Sequence, residues 1–276
     1  MRGLSLGYSP CPNDTCIFFA LVHGRIPLQD LAFQERLEDV ETLNRLACSR
    51  RLDVTKISYH ALGHLRSDYA LLRSGGALGR GCGPLLVARH ALTLPDLEQR
   101  RIAIPGRLTT ATLLLQLCGR FENLLVMPFD RIMPAVRDGL ADAGLIIHEG
   151  RFTYHELGLV SLLDLGQWWE ETTGLPIPLG GILARRDLGP ERIKRIEEAV
   201  RKSVAFALAH PGEAAAYIRR HAQELDEEVI RRHIGLYVND YSLDLGDEGL
   251  GAVRELLKRA EERGLIPRYA GPLFAE

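Results

Sequence analysis

The sequence predicts an α/β protein with two lobes, and three observations lead to this fold class. Short apolar segments typical of buried strands alternate with amphipathic helical segments through the first half of the chain. The same order of strands and helices then occurs a second time. The 276 residues are 46% hydrophobic and 25% charged, an ordinary composition for a soluble protein of one large or two modest domains.

Each copy of this repeat has the order strand, helix, strand, helix, strand. In the first copy, the expected strands are 4–9, 31–37 and 54–59, and the expected helices are 15–24 and 40–51. In the second copy, the expected strands are 101–105, 124–129 and 143–147, and the expected helices are 111–121 and 131–141. Asp53 and Asp142 hold equivalent positions before the third strand. Such alternation predicts parallel sheets with helices on both faces.

Two segments rich in glycine and proline are expected to connect the lobes. Residues 74–90 and 173–189 read as extended chain that can absorb hinge rotations. Beyond them, one helical face collects Ile193, Ile196, Val200, Val204 and Ala207, which predicts C-terminal helices that pack on the first lobe. We therefore expect a first lobe of residues 1–83 and 181–276 and a second lobe of residues 84–180.

Charge, hydropathy and cysteine content limit the classes of function. The net charge is −2 and no basic block is present, so we expect neither nucleic acid nor a membrane surface as a partner. No apolar run approaches the ~18 residues of a membrane span, and prolines interrupt any signal-peptide core near the start. The cysteines at 11, 16, 48, 82 and 118 show no C-x-x-C spacing and indicate reduced thiols. These features predict a cytoplasmic protein.

Ligands of open parallel sheets bind beyond the carboxyl ends of the strands. The segments that follow strands here are 9–15, 56–60, 105–111 and 148–151. We expect these four segments to meet at one cleft between the lobes.

Two of these segments lead into helices. Asn13 or Asp14 is a natural N-cap for the first helix, and Thr109 or Thr110 is one for the second. Alternatively, Asn13, the threonine hydroxyls and the N–H groups of Thr110 and Ala111 hold a carboxylate at the positive ends of the helix dipoles. Helix starts with little fixed positive charge suit a small organic acid better than a polyphosphate.

Lys56 is one of only four lysines among 34 basic residues, and it lies within an apolar strand. Strand alternation places Lys56 and Ser58 on one face, with the backbone of Ile57 in reach of the same ligand. Two interpretations remain open for Lys56. It is either a solvated residue at a sheet edge or a compact charge for a substrate carboxylate or carbonyl oxygen.

His148 ends the apolar strand 143–147 and is the best candidate for acid–base chemistry, because an imidazole exchanges protons near neutral pH. Glu149 or Asp130 would orient its ring. The alternative interpretation is a surface loop that begins with polar residues. The sequence contains no nucleophile elbow of the kind that hydrolases use, so hydrolysis through a covalent intermediate is not supported.

Three further features admit two interpretations each. His60 and His64 form an H-x-x-x-H pair, but the sequence offers no third ligand nearby, so we expect no metal site. Trp168 and Trp169 either stack on a ligand ring or anchor the packing near the second connection. A metal or redox role for Cys11 and Cys16 is less favoured than burial.

Motifs along nearly the whole chain together resemble the 1,4-dihydroxy-6-naphthoate synthases of the futalosine route to menaquinone. These motifs are SPCPNDT, LEDVETLN, TKISY, SGGALGRGCGPLL, PGRLTTA, LIIHEGRFTY and GLPIPLGGILARRDLG, followed by HPGEAAAY and YVNDYSLDLG in the helical tail. The resemblance implies a two-lobed fold like that of the type II periplasmic binding proteins, with two hinge strands and a helical C-terminal segment. It implies no metal and no organic cofactor.

The resemblance also implies an activity and a set of site residues. The activity is a lyase that cleaves a carbon–carbon bond of cyclic dehypoxanthinylfutalosine, giving 1,4-dihydroxy-6-naphthoate and a dihydroxyacetone-like three-carbon fragment. His148 matches the general base of the family, and the substrate-binding stretches match Lys56, Ile57, Ser58, Thr110 and Ala111. Two alternatives remain: a non-catalytic protein that binds a small carboxylate, and the related chorismate dehydratase activity of the same pathway.

Overall fold

The structure is a computed structural model that describes residues 3–222 and 226–275. The strands are β1 (Leu4–Tyr8), β2 (Phe33–Leu37), β3 (Val54–Ser58), β4 (Tyr69–Leu71), β5 (Ala77–Gly79), β6 (Leu85–Ala88), β7 (Ile102–Ile104), β8 (Leu124–Val126), β9 (Ala143–Ile146), β10 (Val160–Asp164) and β11 (Ile177–Arg185). The helices are α1 (Pro12–Val22), α2 (Val40–Cys48), α3 (Tyr59–Leu65), α4 (Leu94–Leu97), α5 (Thr110–Cys118), α6 (Phe129–Arg137), α7 (Gly150–Thr153), α8 (Leu165–Thr173), α9 (Pro190–Ala209), α10 (Ala215–His221), α11 (Glu227–Tyr237), α12 (Asp240–Leu243) and α13 (Gly246–Glu262).

The chain divides into two compact units. Unit 1 consists of Met1–Gly79 and Pro178–Glu276, and unit 2 consists of Arg80–Ile177. The boundaries expected from the sequence, after residues 83 and 180, lie a few residues further along the chain. The segment 74–90 contains β5 and β6, and the segment 173–189 contains β11.

The sheet of unit 1 has the strand order β2-β1-β3-β11-β4, with β5 beside β11. β1 runs parallel to both β2 and β3, as expected from the helical connections between them. β11 runs antiparallel to β3 and β4, so the expectation of a purely parallel sheet is wrong for this part. Two parallel neighbours must be joined by a crossover connection, usually a helix, that returns the chain to the end of the sheet where the first strand began. Among the described residues, no such helical crossover within unit 1 leads into β11.

The sheet of unit 2 has the order β10-β6-β9-β7-β8. β7 pairs in parallel with β8 and β9, whereas β6 runs antiparallel to β9 and β10 antiparallel to β6. This sheet is therefore also mixed. The triplets β2-β1-β3 and β8-β7-β9 have equivalent order and direction, which confirms the half-chain repeat in the pairing itself.

Helix α9 covers the sheet of unit 1 together with α1. Its predicted apolar face is buried, and Ile193, Ile196, Val200 and Val204 pack in one core with Ile17, Phe18 and Leu21 of α1. Ser203 joins the two helices by donating from Oγ to the carbonyl of Ile17 (2.6 Å) and accepting from the N–H of Leu21 (3.0 Å). The expectation that the C-terminal helices pack on the first lobe is correct for α9.

Two smaller observations complete the fold. In the described parts of the chain, no helix is both long enough and apolar enough to cross a membrane. All five cysteines are free thiols, of which Cys11, Cys16 and Cys82 are buried.

Candidate active site

The first candidate segment leads from β1 into α1. Pro12 occupies the first helical position, and Cys11 is the N-cap residue, although its side chain does not cap the helix. Neither Asn13 nor Asp14 is therefore the N-cap, contrary to the sequence prediction. Proline is favoured at the first helical position because its fixed φ suits the helix and its missing N–H would have no partner there. The helix consequently starts earlier and places Asn13 and Asp14 inside its first turn.

Asp14 and Lys56 form a buried ion pair. Nζ of Lys56 lies 2.8 Å from Oδ1 of Asp14, with side-chain exposures of 7% and 3%. The other oxygen of Asp14 accepts from Oγ (2.7 Å) and from the N–H (3.2 Å) of Ser9. Lys56 also lies 3.4 Å from the carbonyl of Gly75. Since β3 lies between β1 and β11, the solvated sheet-edge interpretation of Lys56 is wrong.

Asn13 joins this cluster at the same Asp14 oxygen that Lys56 contacts. Its Nδ2 donates to Oδ1 of Asp14 (2.9 Å), and its Oδ1 lies 2.9 Å from Nε2 of His233 in α11. His233 is only 1% exposed. We call Asn13, Asp14, Lys56 and His233, together with Ser9, the polar cluster of unit 1. Asp14 was expected only as a helix cap and Ser9 only as part of segment 9–15. His233 was missed, because no local signal links it to Asn13, which is 220 residues away.

Ser58 is the last residue of β3 and the N-cap residue of α3, and Asn44 of α2 holds it in place. The N–H of Ser58 donates to Oδ1 of Asn44 (3.0 Å), and Nδ2 of Asn44 donates to Oγ of Ser58 (3.2 Å). Ile57 is fully buried and pairs with Gly181 of β11. A Cβ on Gly180 would lie 2.7 Å from the carbonyl oxygen of Ile57, so a glycine is needed for β11 to approach this segment.

In unit 2, Thr109 is the N-cap of α5, as predicted. Its Oγ1 accepts from the N–H of Thr112 (3.3 Å), and the hydroxyls of both threonines donate to the carbonyl of Gly106 (3.0 and 2.7 Å). The Thr109 hydroxyl therefore fixes the turn before the helix. Thr110 and Ala111 form the first turn of α5 and are buried. The first backbone N–H groups of a helix have no acceptor within that helix and can bind an anion.

His148 lies between the end of β9 at Ile146 and the start of α7 at Gly150. Its φ is +55°, the left-handed region that residues other than glycine rarely adopt. The ring is half-buried and meets Phe129 edge to face, with centroids 5.0 Å apart. Asp130, one of the two expected orienting partners, is half-exposed and lies 3.9 Å from Arg131. Strained backbone of this kind is concentrated at functional sites.

Arg151 fixes the short helix that follows His148. Its guanidinium donates to the carbonyls of Gly83 (2.9 Å) and Gly81 (3.3 Å) and to Asp164 (2.5 Å). Oδ1 of Asp164 accepts from the first N–H groups of α8. The segment containing His148 is thus tied to the strand connection 81–83 and to α8, all within unit 2.

Comparison with known proteins shows which family this chain belongs to. Residues 4–262 match the model of a protein family described as menaquinone biosynthesis. The chain belongs to this family. It is 57% identical over 274 residues to a 1,4-dihydroxy-6-naphtoate synthase of Thermus thermophilus, covering 99% of this chain and 100% of that protein. It is 50% identical to a protein of the same name from Streptomyces coelicolor, covering 96% of this chain and 95% of that one.

Solved structures show the fold. Protein AF1704 of Archaeoglobus fulgidus superimposes with a TM-score of 0.90 at 42% identity, covering 96% of this chain and 98% of that one. A Candida albicans protein described as having the generic periplasmic binding protein fold gives a TM-score of 0.69 at 15% identity, covering 98% and 92% of the two chains. The predicted two-lobed fold of this class is confirmed.

The structure also shows the environments of the tryptophan, cysteine and histidine residues that the sequence offered as further candidates. Trp169 is buried, and its Nε1 donates to the carbonyl of Pro176 (3.0 Å), which favours the anchoring interpretation. Cys16 packs with Phe19 and Tyr217, and burial raises the pKa of its thiol to about 11, so it is a poor nucleophile near neutral pH. His60 is buried on α3, whereas His64 is exposed. Partial desolvation of the imidazole by its surroundings and the charge of Arg66 lower the pKa of His64.

Proposed function

We propose that this protein is a carbon–carbon lyase that converts cyclic dehypoxanthinylfutalosine to 1,4-dihydroxy-6-naphthoate. The observation that carries the proposal is its 57% and 50% identity, over nearly the full length, to two proteins named for that product. The second product is a dihydroxyacetone-like three-carbon fragment. We place the reaction in the cytoplasm, and the free thiols suit a reducing compartment.

His148 is the proposed general base. Its imidazole removes a proton from a sugar hydroxyl of the substrate, and the resulting alkoxide collapses to a carbonyl. The electron pair of the adjacent carbon–carbon bond passes into the ring system, which becomes aromatic after proton uptake. The strained backbone and the edge contact with Phe129 support this role, because a base must be held at a defined angle to the proton that it takes.

The other site residues are proposed to bind the substrate. In unit 1 these are Asn13, Lys56, Ile57 and Ser58; in unit 2 they are Thr110 and Ala111, with Thr109 setting the helix start. Lys56 is paired with Asp14, so the pair carries no net charge. We therefore expect Lys56 to act as an oriented hydrogen-bond donor, and the N–H groups at the start of α5 to receive a carboxylate or developing negative charge.

One assay tests the proposal. The purified protein is incubated with cyclic dehypoxanthinylfutalosine, and the naphthoate is followed by its absorbance while mass spectrometry detects the three-carbon fragment. A parallel incubation with chorismate tests the dehydratase activity, and calorimetric titration tests binding without turnover. Formation of both products supports the proposal. Turnover of chorismate alone, or binding with no product, contradicts it.

A further inference from the structure

The polar cluster of unit 1 contains a continuous series of hydrogen bonds that begins at His233 in α11. His233 contacts Asn13 (2.9 Å), Asn13 contacts Asp14 (2.9 Å), and Asp14 contacts Lys56 (2.8 Å). All four side chains are buried, with exposures between 1% and 7%. The series joins α11, near the end of the chain, to α1 and β3.

The direction of every bond in this series follows from the groups themselves. A carboxylate only accepts hydrogen bonds, and an ammonium only donates them. The amide nitrogen of Asn13 must therefore face Asp14, which leaves its oxygen facing Nε2 of His233. That oxygen is an acceptor, so Nε2 of His233 carries a proton and donates. With the amide reversed, two acceptors would meet at Asp14 and the buried contact would be repulsive.

We propose that His233 is a positioning residue for the substrate-binding side chains of unit 1. Its donor fixes the rotation of the Asn13 amide, which in turn orients the carboxylate of Asp14 toward Nζ of Lys56. This inference rests on the proposed function where it concerns catalysis, since Asn13 and Lys56 are proposed to contact substrate. His233 lies in α11, a helix that the sequence analysis did not connect with the site.

Two variants separate hydrogen bonding from packing. His233→Gln retains an amide N–H close to the position of Nε2, whereas His233→Phe retains the ring and removes the donor. His64→Phe is the matched control, because His64 is an exposed histidine of the same unit outside the polar cluster. All three are compared with the wild type in the naphthoate assay, with thermal unfolding recorded for each.

We expect His233→Phe to raise KM roughly 3- to 30-fold, the effect of one lost hydrogen bond in a network that ends on charged groups, with a smaller change in kcat. His233→Gln should restore KM to within about threefold of the wild type, and His64→Phe should leave it unchanged. A packing role predicts lower thermal stability for both His233 variants without a difference in KM between them. That result would overturn the proposal.

A second measurement does not depend on turnover. Protein labelled with ¹⁵N in its histidines should show the His233 proton on Nε2, slowly exchanging with solvent, and Asn13→Leu should accelerate that exchange. A neutral ring with its proton on Nδ1 alone would overturn the inference. If the wild type fails to convert the substrate, the proposed function fails, while the NMR result still decides how His233 is connected.

Discussion

At the scale of single residues, the backbone of His148 decides which substitution tests the proposed base. Its φ of +55° suits asparagine, whereas alanine in the left-handed region costs about 1–2 kcal/mol. We expect His148→Asn to fold with nearly wild-type stability and to lower kcat by roughly 10²–10⁴, because the amide cannot take a proton. Steady-state kinetics on the naphthoate assay measure this effect.

His155→Asn is the matched control for this variant, because His155 is an exposed histidine of the same unit. It should change neither kcat nor stability. His148→Ala should lower kcat equally and unfold more easily than His148→Asn in urea, by about 1 kcal/mol. Near-normal turnover of folded His148→Asn would contradict the assignment of the base.

The ion pair between Lys56 and Asp14 is expected to contribute to the stability of the folded protein. Lys56→Met leaves a buried carboxylate without its cation and should reduce the free energy of unfolding by about 3–5 kcal/mol. The double variant Lys56→Met/Asp14→Asn removes both charges, so its loss should be smaller than the sum of the two single losses. Urea unfolding of the four proteins measures this coupling. Strictly additive losses would show that the two charges do not interact.

The sequence indicated these site residues unevenly. His148 was identified because it ends a recognisable strand, Lys56 because it interrupts one, and Thr109 because it precedes a recognisable helix. Asp14 was considered only as a helix cap, because the helix was expected to begin at residue 15 and begins instead at Pro12. His233 was missed because its role depends on a contact between distant segments, for which the local sequence contains no signal.

At the scale of elements, α8 depends on a glycine that lies against the strand connection of unit 2. A Cβ on Gly166 would lie 1.7 Å from the carbonyl oxygen of Cys82, and backbone cannot move aside as a flexible side chain can. We expect Gly166→Ala to lower the free energy of unfolding by about 3 kcal/mol or more. Urea unfolding of the full-length protein measures the loss.

Gly150→Ala is the control for this element, since the added methyl group would meet only ordinary contacts at 3.6 Å in a helix of the same unit. It should be neutral or slightly stabilising, by up to about 1 kcal/mol. Similar losses for both variants would mean that the close approach to Cys82 is not what requires a glycine at 166.

Elements whose type follows from local pattern were predicted well. The strands and helices of both repeats occur at the expected places, with boundaries that differ by a few residues. The expectation of parallel sheets was wrong for β11 and β6, because strand alternation is the same for parallel and antiparallel partners, and β10 was not predicted as a strand. Whether such a strand runs parallel or antiparallel to its neighbours depends on the path of the chain between the two sheets, which the local sequence does not show.

At the scale of the whole molecule, the two units differ in how their sheets are assembled along the chain. All five strands of the unit 2 sheet and its core residues, including Leu85, Ile132 and Ile146, lie within 80–177. The sheet of unit 1 needs β11 between β3 and β4, and α1 needs α9 to complete its core. Residues 1–79 therefore lack a central strand and a covering helix.

This difference predicts how pieces of the chain fold. A fragment of residues 80–177 should show a cooperative thermal transition and dispersed amide resonances, whereas residues 1–79 alone should remain unfolded. β5 ends at Gly79 and pairs with β11, so we expect a short Gly-Ser linker to join 1–79 to 178–276 as a folded unit 1. Circular dichroism and NMR on the three proteins measure this. A cooperative transition in residues 1–79 alone would show that this segment folds without β11. No cooperative transition in the linked protein would show that adding β11 and α9 does not complete unit 1, and either result would contradict the prediction.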